Sequence, residues 1–470
     1  MSTITIDLRG RDLIITPPVE WQRLPLPELL STLFGQHLPA YIRNKIAQDK
    51  RHRFLRTLPI HFSTIKDALR RQQVPFTVAF EARPALPFTT KLAMESRPYQ
   101  DAALAGWLAE SSAGVVVLPT GAGKTFVAAM AIHETGLWTL AVVPTIDLLQ
   151  QWRSALAAAL SLAVDEIGVF GGGEKDLKPI TIITYDSAAL YPRELRHFGL
   201  LIFDECHHLP APTYRLIAES SFTPLRLGLS ATPERSDMAH ADLVELIGPE
   251  VYRRSPSELT QERYLAQYRE QRINVALSSE DEERYNEQRR VFRSFLQRRR
   301  IILRSPEDFQ QKLIFMSARD PEARAAMLAW REARNIAMNA PAKYAEIERI
   351  LHDHGGDQVI LFSEYNYVVD EISRRFCIPS ITYKTPTEER RTILERFRTG
   401  QYSKLVTGRV LNEGVDVPDC RVAIIVSGNS TKREYIQRLG RILRPKEEQA
   451  LLYELITSGT TEEHIAKRRR

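Results

Sequence analysis

The chemistry of this chain starts at Leu118-Pro119-Thr120-Gly121-Ala122-Gly123-Lys124-Thr125, set between an apolar run from Gly114 to Leu118 and a helical pattern from Phe126 to Glu134. Glycines at a strand end let backbone N–H groups turn inward toward phosphate oxygens. The helix that follows adds the partial positive charge of its N-terminus. In such a loop Thr120, Gly121, Ala122 and Gly123 form the cradle, Lys124 reaches the β- and γ-phosphates, and Thr125 offers its hydroxyl to Mg²⁺. Leu118 replaces the first glycine of the general G-x-x-x-x-G-K-[ST] pattern, so the match rests on the T-G-x-G-K-T core.

A second acidic element follows. The run Phe198 to Phe203 reads as a buried strand that delivers Asp204-Glu205-Cys206-His207-His208 at its C-terminal end, the edge where ligands bind in an open parallel sheet. Asp204 suits Mg²⁺, directly or through water, and Glu205 suits a base that orients and deprotonates an attacking water. The Cys-His-His run also admits a zinc reading, but no second Cys/His pair stands at ligand spacing.

These residues need a rigid scaffold, and the chain is long enough to build one. Its 470 residues are 43% hydrophobic and 26% charged, an ordinary folded composition with room for several domains. The formal net charge of +6 permits a polyanionic partner without demanding one. Three cysteines, Cys206, Cys377 and Cys420, are too few for a disulfide framework and fit a reducing, cytoplasmic setting. No apolar run reaches about 18 residues, and the N-terminus lacks a signal-peptide pattern, so neither a membrane span nor export is expected.

Along the chain, residues 1–88 alternate short strand-like and helical runs, a small α+β domain. Its basic cluster at Lys45 and Lys50-Arg51-His52-Arg53 reads as a solvated face or, less directly, a nucleic-acid contact. Residues 89–255 then alternate short apolar strands with helices, a parallel α/β sheet. Its polar strand ends include Thr145, Thr184 and Ser230-Ala231-Thr232. The stretch Glu258 to Glu332 is helical in pattern, with Arg289-Arg290, Arg293, Arg298-Arg299-Arg300 and Arg304 interleaved with Phe292 and Phe295. Arginines beside aromatics suit phosphate tracking and base stacking; pairing with Glu280 to Glu283 on a solvated arm is the alternative. The remainder, residues 336–470, repeats the α/β alternation without a phosphate loop. It carries Thr407 to Pro418 after a strand, and Gln437, Arg438, Arg441 and Arg444 on a helix, successive arginines three positions apart.

The set Arg97-Pro98-Tyr99-Gln100, LPTGAGKT, VVPT, DECHH, SAT and QRLGRILR, in this order, resembles a superfamily 2 helicase. Within that superfamily the LGLSATPERSD run with the following Leu246-Ile247-Gly248-Pro249 is most similar to the XPB group of DNA-repair and transcription helicases. The resemblance implies an α/β fold of two tandem RecA-like parallel-sheet lobes (89–255 and 336–470), a small α+β N-terminal domain with a damage-recognition role (1–88) and a helical thumb (256–335). It implies ATP and Mg²⁺ as ligands, with Arg97, Tyr99 and Gln100 at the adenine, Gly414 and Asp416 at the nucleotide, and Gln437, Arg441 and Arg444 completing the site from the second lobe. It further implies 3′ to 5′ movement on DNA, single-stranded or forked. The expected contacts are Thr145, Thr184, Arg235, Ser363 and Thr407, with Arg298, Arg299 and Arg300 on the thumb. The group carries Arg-Glu-Asp where this chain has Arg235-Ser236-Asp237, which bears on any wedge role of that loop.

A nuclease or a repair or transcription assembly is the kind of partner such proteins have. Two other readings stay open. One is a double-strand translocase of the restriction-enzyme type; the other is a DNA-binding scaffold with a vestigial ATP site, against which intact Lys124, Asp204, Glu205 and Arg441 argue.

Overall fold

The computed structural model describes residues 3–49, 51–80, 84–192, 194–234, 237–264, 268–303, 309–408, 420–427 and 450–468. The chain forms two units, Met1–Leu259 and Thr260–Arg470.

The first unit opens with a five-stranded sheet: β1 (Ile4–Arg9), β2 (Asp12–Thr16), β3 (Ala47–Asp49), β4 (Phe54–Thr57) and β5 (Phe76–Val78), in the order β3-β4-β2-β1-β5. A tight turn at Gly10 (φ +62°) joins β1 and β2. Alternate residues Ile4 and Ile6 of β1, with Leu13 and Ile15 of β2, face the helices Leu26–Phe34 and Phe62–Arg71. That core is closed by Phe222, which comes from the following sheet domain and packs on Phe80 with ring centroids 4.7 Å apart. Lys45 pairs with Glu245, and Arg196 donates to the carbonyl of Gly10, across the same junction.

The second sheet of this unit contains β6 (Ala113–Val117), β7 (Thr139–Val143), β8 (Ile167–Gly171), β9 (Glu174–Asp176), β10 (Ile180–Thr184), β11 (Leu200–Asp204), β12 (Arg226–Ser230) and β13 (Glu250–Arg253). Their order is β13-β6-β12-β11-β7-β10-β8-β9, parallel except where β9 turns back on β8. Strands β7, β8, β10, β11 and β12 are buried end to end, which is why they are largely apolar, with Arg226 of β12 and Asp204 of β11 as ionisable exceptions. Because β6 lies beside β12 and β12 beside β11, the ends of these three strands meet at one edge, although β6 is far from the other two in the chain. Their loops carry Thr120–Thr125, Asp204-Glu205 and Ser230–Thr232.

The second unit is built on an all-parallel sheet of β14 (Tyr268–Val275), β15 (Val359–Ser363), β16 (Ser380–Ile381), β17 (Lys404–Thr407), β18 (Val422–Ser427) and β19 (Ala450–Thr457), ordered β14-β19-β18-β15-β17-β16. The stretch from Glu258, expected to be helical in pattern, opens within a short helix, Pro256–Gln261, but then contains the strand β14, which pairs with β19 over its whole length. Alternating polar residues of Tyr268–Val275 mark an edge strand rather than a helix face. Two antiparallel helices follow, Ser279–Arg298 and Pro321–Met338. Ser278 caps the first through the N–H of Asp281 at 3.1 Å, and Asp320 caps the second, with Pro321 at its first position. Phe292 and Phe295, interleaved with the arginines, are buried against Ala323 and Ala326. Three-residue spacing on a packed helix face makes them core, which corrects the expectation that they stack on bases.

Behind the sheet, Lys343 and Glu462 form a wholly buried pair at 2.7 Å. The ammonium also donates to the carbonyl of Val426, and Glu462 accepts from the N–H of Thr457. No described helix is long and apolar enough to cross a membrane.

Candidate active site

The phosphate loop leaves β6 through Leu118 and turns at Gly121 (φ +84°) and Gly123 (φ +76°) before the helix Lys124–Thr135. Both glycines occupy the left-handed region that side chains avoid, and a Cβ on Gly123 would come within 2.6 Å of the Gln100 amide nitrogen. Tyr99 and Gln100 brace the loop: the tyrosine hydroxyl donates to the carbonyl of Ala122 at 2.8 Å and the Gln100 amide at 3.2 Å. Gln100 also accepts from the N–H of Arg97 at 2.9 Å, and Arg97 donates to the Tyr99 hydroxyl at 3.2 Å. Tyr99 is buried, so the role this geometry displays for it is shaping the cradle. Thr120 Oγ1 is buried without a hydrogen-bond partner. An unpaired hydroxyl in a glycine loop beside a lysine fits an incoming phosphate oxygen.

Lys124 Nζ lies 3.8 Å from Glu205 Oε1 and 3.5 Å from the carbonyl of Leu118. Glu205 itself sits at φ +44°, a left-handed conformation that turns the chain sharply as it leaves β11. Its other oxygen receives the Ser230 hydroxyl at 3.2 Å and lies 3.4 Å from His207 Nδ1. Ser230 in turn accepts from the N–H of Thr232 at 3.2 Å. Three strand ends therefore converge on one carboxylate.

Asp204 is held separately. Trp152 Nε1 donates to its Oδ2 at 3.0 Å, and the Tyr185 hydroxyl donates to its backbone carbonyl at 3.0 Å. Burial, with the adjacent charge of Glu205, raises the Asp204 carboxyl to about 7. Burial pushes Glu205 the same way, but Lys124, His207 and His208 outweigh it and hold Glu205 ionised, well below the usual range. The two neighbouring carboxyls are driven apart, Asp204 holding its proton until a cation takes its place and Glu205 staying ionised. Cys206, wholly buried beneath them, is pushed far up by burial and is no thiolate. The sequence placed Ser230 at a strand end in the SAT run and His207 in a Cys-His-His run, but pointed to neither as a partner of Glu205, and nothing local marked Trp152.

Other expected positions fall elsewhere. Thr145 caps the helix Ile146–Leu160 through the N–H of Leu148 at 3.3 Å, and Thr184 caps Tyr185–Leu190 through Ser187 at 3.3 Å. Both stand at ends of the sheet that carries the phosphate loop. Ser363 and Thr407 are fully buried. Ser363 accepts from the N–H of Tyr365 at 3.1 Å and meets Ser427 at 2.8 Å, so its hydroxyl shapes its own loop. Arg298 pairs with Glu322 at 2.5 Å, and Arg299 with Asp320 at 2.8 Å and Glu322 at 3.0 Å. Their partners lie on the opposite helix, not among Glu280 to Glu283. Arg300 makes no ion pair among the described residues. Arg235, Arg304, Gly414, Asp416, Gln437, Arg438, Arg441 and Arg444 lie outside the described residues.

Residues 93–235 match the family model of the type III restriction enzyme res subunit, and residues 325–470 that of the ERCC3/RAD25/XPB C-terminal helicase. The chain is 45% identical to the DNA 3′-5′ translocase XPB2 of Sulfurisphaera tokodaii, over 82% of its own length and 87% of that protein. It is 33% identical to the DNA 3′-5′ helicase XPB of Mycobacterium tuberculosis over 80% of its length, but spans only 63% of that longer relative. In fold it is similar to the helicase domain of Pyrococcus furiosus Hef, with a TM-score of 0.55 at 19% identity, covering 80% of this chain and 98% of that one.

Proposed function

The chain belongs to the XPB/Rad25 family of DNA 3′-5′ helicases, and from that premise we propose that it is an ATP-driven motor that moves 3′ to 5′ along DNA, in repair or in opening DNA for transcription. One observation carries the reading: an ionised Glu205, fixed by Ser230 and His207, stands 3.8 Å from the lysine of a glycine-turned phosphate loop. That is the arrangement of a nucleoside triphosphate hydrolase.

In this reading the loop N–H groups and Lys124 bind the β- and γ-phosphates, with Arg97 at the rim near the base. Glu205 orients the attacking water and takes its proton. Thr125 and Asp204 would hold Mg²⁺, which when bound neutralises charge on the phosphate oxygens. Arg441 and Arg444, with Gln437, act on the transferring phosphoryl group only when the lobes close, and so couple hydrolysis to motion. Gly414 and Asp416 line the nucleotide from the same side.

The loops at Thr145, Thr184, Arg235, Ser363 and Thr407 grip one strand of a single-stranded or forked DNA. Residues 1–88 serve to recognise DNA structure, and 256–335 to hold it. A cytoplasmic setting and a nuclease or repair partner complete the proposal. The match of residues 93–235 to a restriction-enzyme motor favours a second reading, translocation on duplex DNA without strand separation. Turnover of ATP with and without DNA tests the motor, and strand release from a forked duplex beside displacement of a triplex strand separates the two modes. ATP turnover indifferent to DNA overturns both.

A further inference from the structure

Within the second unit, a pocket of about 350 Å³ opens between the helices Ser279–Arg298, Pro321–Met338 and Thr461–Arg468. Its charged and ionisable lining residues are Arg289, Arg334 and His464, and no carboxylate lines it. The neighbouring acids are already engaged: Glu287 with Arg290, Glu332 with Arg284, Glu463 with Lys467, and Glu462 with Lys343 beneath the surface. Arg289 is half-buried and makes no ion pair or hydrogen bond among the described residues. Burial acts most against its guanidinium and the nearby charge of Arg293 adds to it, with Tyr285 offsetting part of the effect. A cation kept in such a place without a counter-ion is a site for an anion from outside.

The pocket is tied to the loop after β15. Arg334 donates to the Tyr365 hydroxyl at 2.6 Å and lies over the rings of Trp330 (4.9 Å) and Tyr365 (5.3 Å), while the N–H of Tyr365 donates to Ser363. Tyr285 fixes the opposite wall, accepting from the N–H of Thr461 at 2.8 Å. Along the first helix, Arg293 follows Arg289 by one turn, so positive charge continues from the pocket outward. Trp330, Ala333 and Ile465 supply the apolar wall, and the Trp330 ring is already covered by the Arg334 guanidinium, which leaves little bare apolar surface to anchor a side chain of a partner protein. A flexible polyanion with repeated charges fits better than a protein hot spot.

We propose that this pocket seats one backbone phosphate of the DNA strand, held by Arg289 and His464 and backed by Arg334. The proposal rests on the reading of the chain as a DNA motor and adds to it a fixed contact between the helical arm and the β15 loop. Binding of a labelled oligothymidylate is measured across a salt series for the full chain, Arg289→Ala, Arg289→Lys and, as a surface control, Arg349→Ala. Arg289→Ala is expected to weaken binding about fivefold and to reduce the slope of log affinity against log salt by about 0.7, the share of one phosphate on a single strand. Arg289→Lys keeps the slope, and Arg349→Ala changes neither.

An unchanged slope in Arg289→Ala overturns the pocket, as does a loss that Lys fails to restore. If instead a poly-glutamate peptide binds in an Arg289-dependent way while oligothymidylate binding is untouched, the site belongs to an acidic protein segment and the proposal falls. Failure of the unmutated chain to bind the oligonucleotide at all would count against the motor reading itself, a result distinct from a pocket-specific failure.

Discussion

The indole N–H of Trp152 donates to Asp204 Oδ2 at 3.0 Å, joining the helix that Thr145 caps to the carboxylate at the end of β11. A buried donor on one oxygen fixes the carboxylate's rotation and leaves the other oxygen for a cation. Trp152→Phe keeps the packing but loses the donor. The Mg²⁺ concentration that half-activates ATP hydrolysis should rise about tenfold, the lower end of what outer partners of metal ligands contribute. Equilibrium binding of Mn²⁺ to the nucleotide-loaded protein checks the same shift without turnover. Unaltered metal dependence would sink the role given to Trp152.

This pair also shows where reading the sequence stopped. The glycine loop and the DECHH run were legible because each is local: the chemistry lies within a few consecutive residues. So were most strands of the two parallel sheets, whose buried runs are unmistakably apolar. Trp152 and Asp204 are 52 residues apart, and only the strand order β12-β11-β7 brings the helix after β7 over the end of β11. The same holds for Arg226, a charged residue inside a buried strand, whose guanidinium is satisfied by carbonyls of Thr223, Leu246, Ala218 and Ser221. Composition cannot reveal such partners, and β14 was misread because an edge strand with charged alternate positions mimics a polar helix.

Glu205→Gln should leave ATP binding largely intact and lower turnover by roughly 10²-fold or more, since the amide cannot take the water's proton. Ser230→Ala, which removes one orienting hydrogen bond, should produce a smaller loss in the same direction. Single-turnover hydrolysis beside nucleotide binding separates the two effects, and a Glu205→Gln enzyme with normal turnover would refute the assignment. Arg441→Ala should likewise spare affinity and cost about 10³-fold in rate.

The raised Asp204 carboxyl makes a statement about stability. In the folded, metal-free protein it keeps its proton up to about pH 7, whereas an unfolded aspartate releases it near 3.9. The folded state binds the extra proton across that window, so its contribution falls as pH rises from about 4 to about 7 and is level above. Asp204→Asn removes the titration while keeping an acceptor for Trp152. It should abolish ATPase activity yet raise stability against unfolding, by an amount that grows across that pH range and reaches on the order of 4 kcal/mol. A variant less stable than the parent at pH 8 contradicts this.

The Lys343–Glu462 pair anchors the C-terminal helix Thr461–Arg468 to the end of β18, directly before residues 428–449. Lys343→Met strands a buried carboxylate and should cost about 3–5 kcal/mol, while Lys343→Met combined with Glu462→Leu should recover most of it. Chemical denaturation of both variants decides the point. Equal losses in the single and double variants would show that packing, not charge, is what the site requires.

At the tip of the helical arm the arginines are not equivalent. Arg298 and Arg299 are already neutralised by Glu322 and Asp320, whereas Arg300, exposed and at φ +51°, has no acidic partner among the described residues. If the arm holds DNA, Arg300→Ala should lower the salt slope of binding by about 0.7 to 0.9, the share of one phosphate, on every sequence alike. Arg298→Ala removes a guanidinium already paired with Glu322, which Arg299 continues to hold, so no unpaired phosphate contact is lost and the slope should stay nearly constant. Its cost to stability is that of an exposed pair, about 0 to 1 kcal/mol. Fluorescence anisotropy of a labelled strand over a salt series, with basal ATP turnover as the control for folding, reads both variants. Equal drops for the two would mean that Glu322 gives up its arginine to the phosphate on binding. No drop for Arg300 takes the tip of the arm off the DNA surface and leaves Arg289, deeper between the helices, as the contact to examine.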